Sequence, residues 1–209
     1  MLKMKSLAAT ALMVALTAPA WATSVALSTN AADAGYGQWN MFSVSELDAQ
    51  SFGVEWIANA NTLSPGFGSP LSFTFTIGAG QVGTFTVVDA VFAGDTFSVT
   101  NAGSALGNTS AVAATTYDSA PNIGLDFSGA LANPAFSRGV FMLGAGSYSI
   151  TGALVQSVTF EIEPSVFAPL NTTVGAVSLT VSPVPEPSVY ALLLAGLGLM
   201  GTMARRKRS

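Results

Sequence analysis

The stretch Leu71-Ser72-Phe73-Thr74-Phe75-Thr76-Ile77 decides how the rest of the chain is read. Its apolar residues recur at every second position and hydroxyl residues fill the gaps. Successive side chains of an extended strand point to opposite faces, so Leu71, Phe73, Phe75 and Ile77 form one dry face. Ser72, Thr74 and Thr76 form the wet one. The same alternation sets Val158, Phe160 and Ile162 against Thr159, Glu161 and Glu163, and it groups Val177, Leu179 and Val181. Further strands are expected at 39–44, 52–57, 83–92, 96–100, 139–143 and 147–154, and no helical period of useful length appears between residues 24 and 183.

Gly78-Ala79-Gly80, Asn101-Ala102-Gly103 and Gly144-Ala145-Gly146 separate these runs as short, hairpin-like links. Short strands with one wet face, and no helices to cover a parallel sheet, predict an all-β fold. An antiparallel β-sandwich of the jelly-roll kind is expected, with a closed barrel as the alternative. Residues 110–137 are the longest stretch without alternation, a length that usually marks a functional or mobile loop.

The two ends differ from this body. Lys3 and Lys5 precede an apolar run that closes on Ala20-Trp21-Ala22, the order of an export signal cleaved after small residues. Residues 1–22 are therefore expected to be a signal peptide, 23–182 the β-sandwich and 183–209 a separate C-terminal unit. In that unit Val184-Pro185-Glu186-Pro187 leads into an uncharged run ending before Arg205-Arg206-Lys207-Arg208. As a helix, residues 188–204 would cover roughly 25 Å at 1.5 Å per residue, close to the ~30 Å of a hydrocarbon core. The basic cluster would hold the far end on the cytoplasmic side and leave the body outside. Ser182–Pro187 reads as a linker, kept extended by its prolines.

A Pro-Glu-Pro motif, one apolar helix and a basic stub, in that order, resemble the PEP-CTERM sorting signal of exported bacterial proteins. The resemblance implies recognition by exosortase, transient membrane anchoring through the 188–204 helix, and delivery to the cell surface or beyond. The segments VVDAVFAGDTFSVTNAGSALGNTS (87–110) and FSRGVFMLGAGSYSITG (136–152) are similar to a pattern common among such proteins. That group is defined by its signal and not by a reaction. It implies a surface or matrix role, often tied to exopolysaccharide and biofilm, and carries over no catalytic residue.

Composition narrows the chemistry. Every one of the eleven acids lies between residues 33 and 186, and Arg138 is the one cation there, a net charge near −10. Such a body repels phosphate backbones, which excludes nucleic acid as a partner. The chain has no cysteine and no histidine, so a Ser-His-Asp or Cys-His nucleophile and a thiolate or imidazole metal site are ruled out. A non-enzymatic protein is expected.

Three weaker candidates remain. Asp118, Asn122 and Asp126 offer hard oxygen donors for calcium in the long loop, although their spacing fits no established motif. Calcium assisting a carbohydrate-binding module is the alternative function. Trp39 and Trp56 could stack on sugar rings if exposed, and Arg138 could hold an anionic sugar or cap carbonyls between loop and strand. Asp89 and Asp95 could supply the carboxyl pair of a glycosidase. The simpler reading makes them the borders of a turn, with Asp95 bonding nearby backbone N–H groups.

Overall fold

A computed structural model describes residues 22–27, 39–58 and 66–184, together with Ala195, Leu197 and Met200. Among the described residues it contains twelve strands and one short helix: β1 (Thr23–Ala26), β2 (Asn40–Ser45), β3 (Leu71–Ile77), β4 (Gln81–Phe92), β5 (Thr96–Asn101), β6 (Ser104–Asn108), β7 (Asn122–Gly124), α1 (Phe127–Ala132), β8 (Arg138–Leu143), β9 (Gly146–Gln156), β10 (Thr159–Glu163), β11 (Val166–Pro169) and β12 (Thr172–Pro183). The fold is all-β. One sheet has the order β1-β3-β9-β5-β6; in the other, β2-β12-β4 continues into β7 and β8, which share the free edge of β4. All ladders are antiparallel except β1 on β3.

The alternation in β3 does what its sequence demands. Leu71, Phe73, Phe75 and Ile77 are buried, and they join Phe97 and Ile150 of their own sheet to Phe42, Phe85, Val87, Val177 and Leu179 of the other. One apolar core therefore lies between two sheets packed face to face. At its centre Trp56 stacks on Phe42 with ring centroids 4.1 Å apart, and Phe73 and Phe97 meet its edges. A second, smaller core sits on the outer face of the β2-β12-β4 sheet. There Phe127 and Ala130 of α1, with Phe136, cover Trp39, Met41, Val88, Ala90 and Ala176. Both faces of β4 are thus covered near its end, which explains the unbroken burial of Val87 to Ala90.

Several expectations need correction. Residues 52–57 form no strand: Phe52 adopts φ 56°, and Glu55 and Ile57 make isolated bridges. Ile57 bridges Ser43 of one sheet and reaches Pro70 beside the other, so the segment closes an end of the sandwich. The loop at 110–137 is not irregular throughout, because Asp126 caps a helical turn that packs back on the sheet. The alternation of Phe160 and Ile162 does not reach the core; β10 forms a ladder with β11 and a single bridge from Thr159 to Thr116, and both apolar residues stay exposed. Of the linker expected over Ser182–Pro187, the first residues are sheet instead, and Pro185, Glu186 and Pro187 lie outside the described residues. Ser182 and Pro183 still pair with Val82 and Gln81, and the Val184 N–H donates to the Gly80 carbonyl.

The glycine links divide into two kinds. Asn101-Ala102-Gly103 is a true hairpin joining paired β5 and β6, with positive φ at both Ala102 (45°) and Gly103 (83°), as a primed turn requires. Gly78–Gly80 and Gly144–Gly146 instead carry the chain from one sheet to the other, since β3 and β4, and β8 and β9, lie in different sheets. The chain crosses in the same way between β4 and β5.

Candidate functional site

The β4–β5 crossing brackets the site. β4 ends in a bulge at Val91, which takes φ 64°, and Gly94 turns the chain at φ 132°. A Cβ at Gly94 would strike Thr115 and Val158, so the crossing is built around a residue with no side chain. Asp89 shares the inward face of β4 with Phe85 and Val87, at the end of the sandwich core. Asp95 follows the turn. Both acids are buried, Asp89 to 0% exposure and Asp95 to 1%.

Their surroundings differ. Asp95 accepts a 2.8 Å hydrogen bond from the Val158 N–H, in the link between β9 and β10, and a second from the Thr173 hydroxyl. Its long-range partner corrects the expectation of a purely local turn bond. The N–H groups of Asp95, Ala90 and Gly94 approach the Asp89 carboxyl, but none makes a well-aligned hydrogen bond to either oxygen. Nearby hydroxyls are satisfied: Thr109 accepts from the Phe97 N–H at 2.9 Å and donates to Ser137 at 3.0 Å. Burial, and then the neighbouring Asp95 charge, push Asp89 up to about 9; the N–H groups of Asp95, Ala90 and Gly94 oppose this only in part. Burial also raises Asp95, to about 6, against the lowering effect of Thr173 and Val158. Desolvation disfavours the charged carboxylate, and a like charge nearby disfavours it further.

Asp95 and Thr173 face a pocket of about 210 Å³ whose walls are almost entirely apolar, with Val91, Phe92, Tyr117 and Val174 among them. Phe92 and Tyr117 lie 4.6 Å apart at ring centroids, and Tyr117 remains 46% exposed. An apolar hollow with a few converging polar groups of shifted pKa is the usual form of a small-ligand site. β12 runs from this pocket, at Thr173, to Pro183, a distance of about 33 Å at the rise of a strand. Pro183 therefore lies at the end of the sandwich opposite the pocket.

The residues singled out from the sequence do not assemble here. Trp56 is fully buried, and Trp39 is buried with its indole N–H donating to Ser128 at 3.2 Å, so neither presents a ring for stacking. Asp118 is exposed; Asn122 accepts from the Gly124 N–H and Asp126 from the Gly129 N–H, both at 2.9 Å. Among the described residues no three His, Cys, Asp or Glu side chains gather. Arg138 donates to the Leu131 carbonyl at 3.0 Å, capping the last turn of α1 from strand β8. Asp126→Ala should cost about 1 kcal/mol by removing the N-cap, read from urea unfolding. A loss several times larger would mean that Asp126 holds more than a helix end. What the sequence did show of the site was two acids inside an apolar run, VVDAVFAGD. Tyr117 and Phe92 carried no such signal, because only folding brings them together.

Residues 183–208 match the model of the PEP-CTERM protein-sorting motif. This motif marks an exported protein that is sorted by an exosortase. Of its parts, Val184 is described, whereas Pro185, Glu186, Pro187 and the basic cluster Arg205–Arg208 lie outside the described residues, as does the expected signal peptide up to residue 21. No helix among the described residues is long and apolar enough to cross a membrane, and most of the expected 188–204 span lies outside them. No curated protein and no solved structure matches the chain.

Proposed function

We propose that this is a non-enzymatic exported protein of the cell surface or extracellular matrix, associated with exopolysaccharide or biofilm. Its route is export by residues 1–22, brief anchoring by a helix at 188–204, and exosortase processing at Val184–Pro187. The observation that carries this reading is the sorting motif over residues 183–208. The run of β12 supports it, because the strand carries the chain within a folded sheet to Pro183, where the motif begins, at the end away from the pocket. Absence of histidine and cysteine supports a role in binding or scaffolding over catalysis.

The strand order supports a finer assignment of fold. The chain alternates between sheets through β2, β3, β4 and β5, and the orders β2-β12-β4-β8 and β3-β9-β5-β6 are those of a double Greek key. We infer a jelly roll, an architecture that also serves lectin domains. Together with Tyr117 exposed over Phe92 at the pocket mouth, this favours a carbohydrate-binding module as the second reading, by analogy of fold. A glycan array probed with wild type and Tyr117→Ala would decide between a binding module and a matrix component.

Mass spectrometry of protein recovered from outside the producing cell tests the first reading. The expected C-terminus falls within Val184–Pro187. Recovery of chains that keep residues 188–209 would overturn it.

A further inference from the structure

The hairpin of β10 and β11 leaves Phe160, Ile162, Val166 and Phe167 in solvent. Single exposed apolar residues are ordinary, whereas a contiguous set marks a contact surface. Here the register makes most of the set contiguous. Leu170 donates its N–H to the Val158 carbonyl at 2.8 Å, which extends the Thr159–Pro169 and Phe160–Ala168 pairing by one step. Side chains alternate along a strand, so Val158, Phe160 and Ile162 share one side with Leu170, Ala168 and Val166. Phe167 takes the other side, with Glu161. Val158 and Leu170 also belong to the wall of the pocket that Phe92 and Tyr117 line. The Tyr117 N–H donates to the Thr159 carbonyl at 2.8 Å and ties that wall to the base of the hairpin. Pocket and hairpin face therefore form one apolar track, about 17 Å from Val158 to Glu163 at the rise of a strand.

The far end of this track is acidic. The ladder shifts between Glu161 and Glu163, so Glu163 lies opposite Val166 at the tip. Asp118, next to Tyr117 in the chain, is exposed as well. Arg138, the one cation among the described residues, is held on the Leu131 carbonyl. A negatively charged group would meet only like charge here. We propose that the track binds a single-chain amphiphile, with its acyl chain in the pocket and along the Phe160 face and its uncharged, hydroxyl-bearing head at Glu163. The pocket, of about 210 Å³, takes part of the chain, and the open face beyond it takes the rest. Aliphatic walls at Val91, Val158, Leu170 and Val174 suit methylene groups, which bind by leaving water and need no polar partner. Asp95 is already bonded to Val158 and Thr173, so it demands no polar group from the ligand. Hydroxyls of the head would donate to the Glu163 carboxylate. This site depends neither on the sorting signal nor on a sugar stacked on Tyr117, and either of those readings can fail without it.

The test uses the full-length chain in an uncharged amphipol, with free detergent removed. The probe is glycerol monododecanoate carrying a diazirine on its acyl chain, and its light-induced adducts are mapped by peptide mass spectrometry. Adducts should concentrate on residues 158–162 and 166–170, and the corresponding dodecanoate anion should label them about tenfold less. Phe160→Ser should lower labelling by about fivefold. Phe167→Ser, on the opposite side of the same hairpin, should leave it unchanged. Should Phe160→Ser melt well below wild type, Ile162→Ser, at a site more than half exposed, takes its place. An unlabelled wild type would overturn the proposal, as would adducts spread equally to the exposed Met142 and Val155. So would labelling that survives the serine variant, labelling lost in Phe167→Ser, or an anion that labels as strongly as the ester. A dimer seen by light scattering and dissolved by Phe160→Ser would give the face to a second copy. Hairpin adducts from a diazirine phospholipid of a nanodisc, with no probe added, would give it to the membrane. Either result also overturns the proposal.

Discussion

Asp89→Asn should make the protein more stable at pH 8, by roughly 2–4 kcal/mol, and flatten its dependence on pH. The sign follows from proton linkage. In the unfolded chain an aspartate releases its proton near its ordinary value of 3.8, whereas in the fold Asp89 keeps its proton up to about 9 and Asp95 up to about 6. Between these limits the folded state binds more protons, so stability falls as pH rises. Both groups contribute from pH 4 to 6, and Asp89 alone from 6 to 9. The penalty is absent below about pH 4 and complete above about 9. Each titrating group costs about 1.4 kcal/mol per pH unit. Asparagine is close in shape and takes up no proton, although its own unpartnered amide costs about 1–3 kcal/mol. The net should remain a gain at pH 8. Urea unfolding at pH 5 and pH 8 provides the measurement, and a variant less stable than wild type at pH 8 would mean that Asp89 is ionised and well paired.

Trp56→Ala should cost about 3–5 kcal/mol, a large part of the ~5–15 kcal/mol that holds a domain together. Trp56 is fully buried between the sheets, stacked on Phe42 and edged by Phe73 and Phe97, so its removal leaves an indole-sized void among stiff aromatic neighbours. Its own unpartnered indole nitrogen returns a little of this on removal. Gly152→Ala attacks the same contact from the opposite side. A Cβ there would press into the Trp56 indole and come within 2.7 Å of the Ser98 carbonyl, with backbone on one side and a rigid ring on the other. Overpacking of this kind costs about 1–3 kcal/mol or more. Urea melts of the two single variants and the double variant would show the coupling: Gly152→Ala should be far milder once Trp56 is already alanine. Equal costs in both backgrounds would mean that the two residues do not meet. Any sugar-binding defect in Trp56→Ala would therefore report unfolding and not a lost stacking platform.

The class of fold was legible because period two is a local property. Leu71 to Ile77 and Val177 to Val181 can bury one face only as strands, whatever surrounds them. The sorting motif was equally legible, since an order of prolines, apolar residues and arginines acts without tertiary context. The same local evidence misled where burial depends on a partner. Phe160 and Ile162 alternate as faithfully as Phe73 and Phe75, yet their hairpin joins neither large sheet and they remain in solvent. Gly78–Gly80 looks like Asn101–Gly103, but one arches between sheets and the other turns within one. A short turn does not record which sheet receives the next strand.

Asp89 illustrates the limit most sharply. In sequence it is one acid beside a glycine turn. Its consequences come from the two sheets shutting water out, from Asp95 returning across the turn, and from the lack of a well-aligned donor. The chain by itself determined strands, turns, export and sorting, because those depend on neighbours a few residues away. Tertiary structure alone decided which strands share a sheet, that Trp39 and Trp56 are buried, and that Asp89 and Asp95 are both buried, Asp95 on the wall of a pocket. Burial and Coulomb repulsion act through space, between residues that the sequence sets far apart.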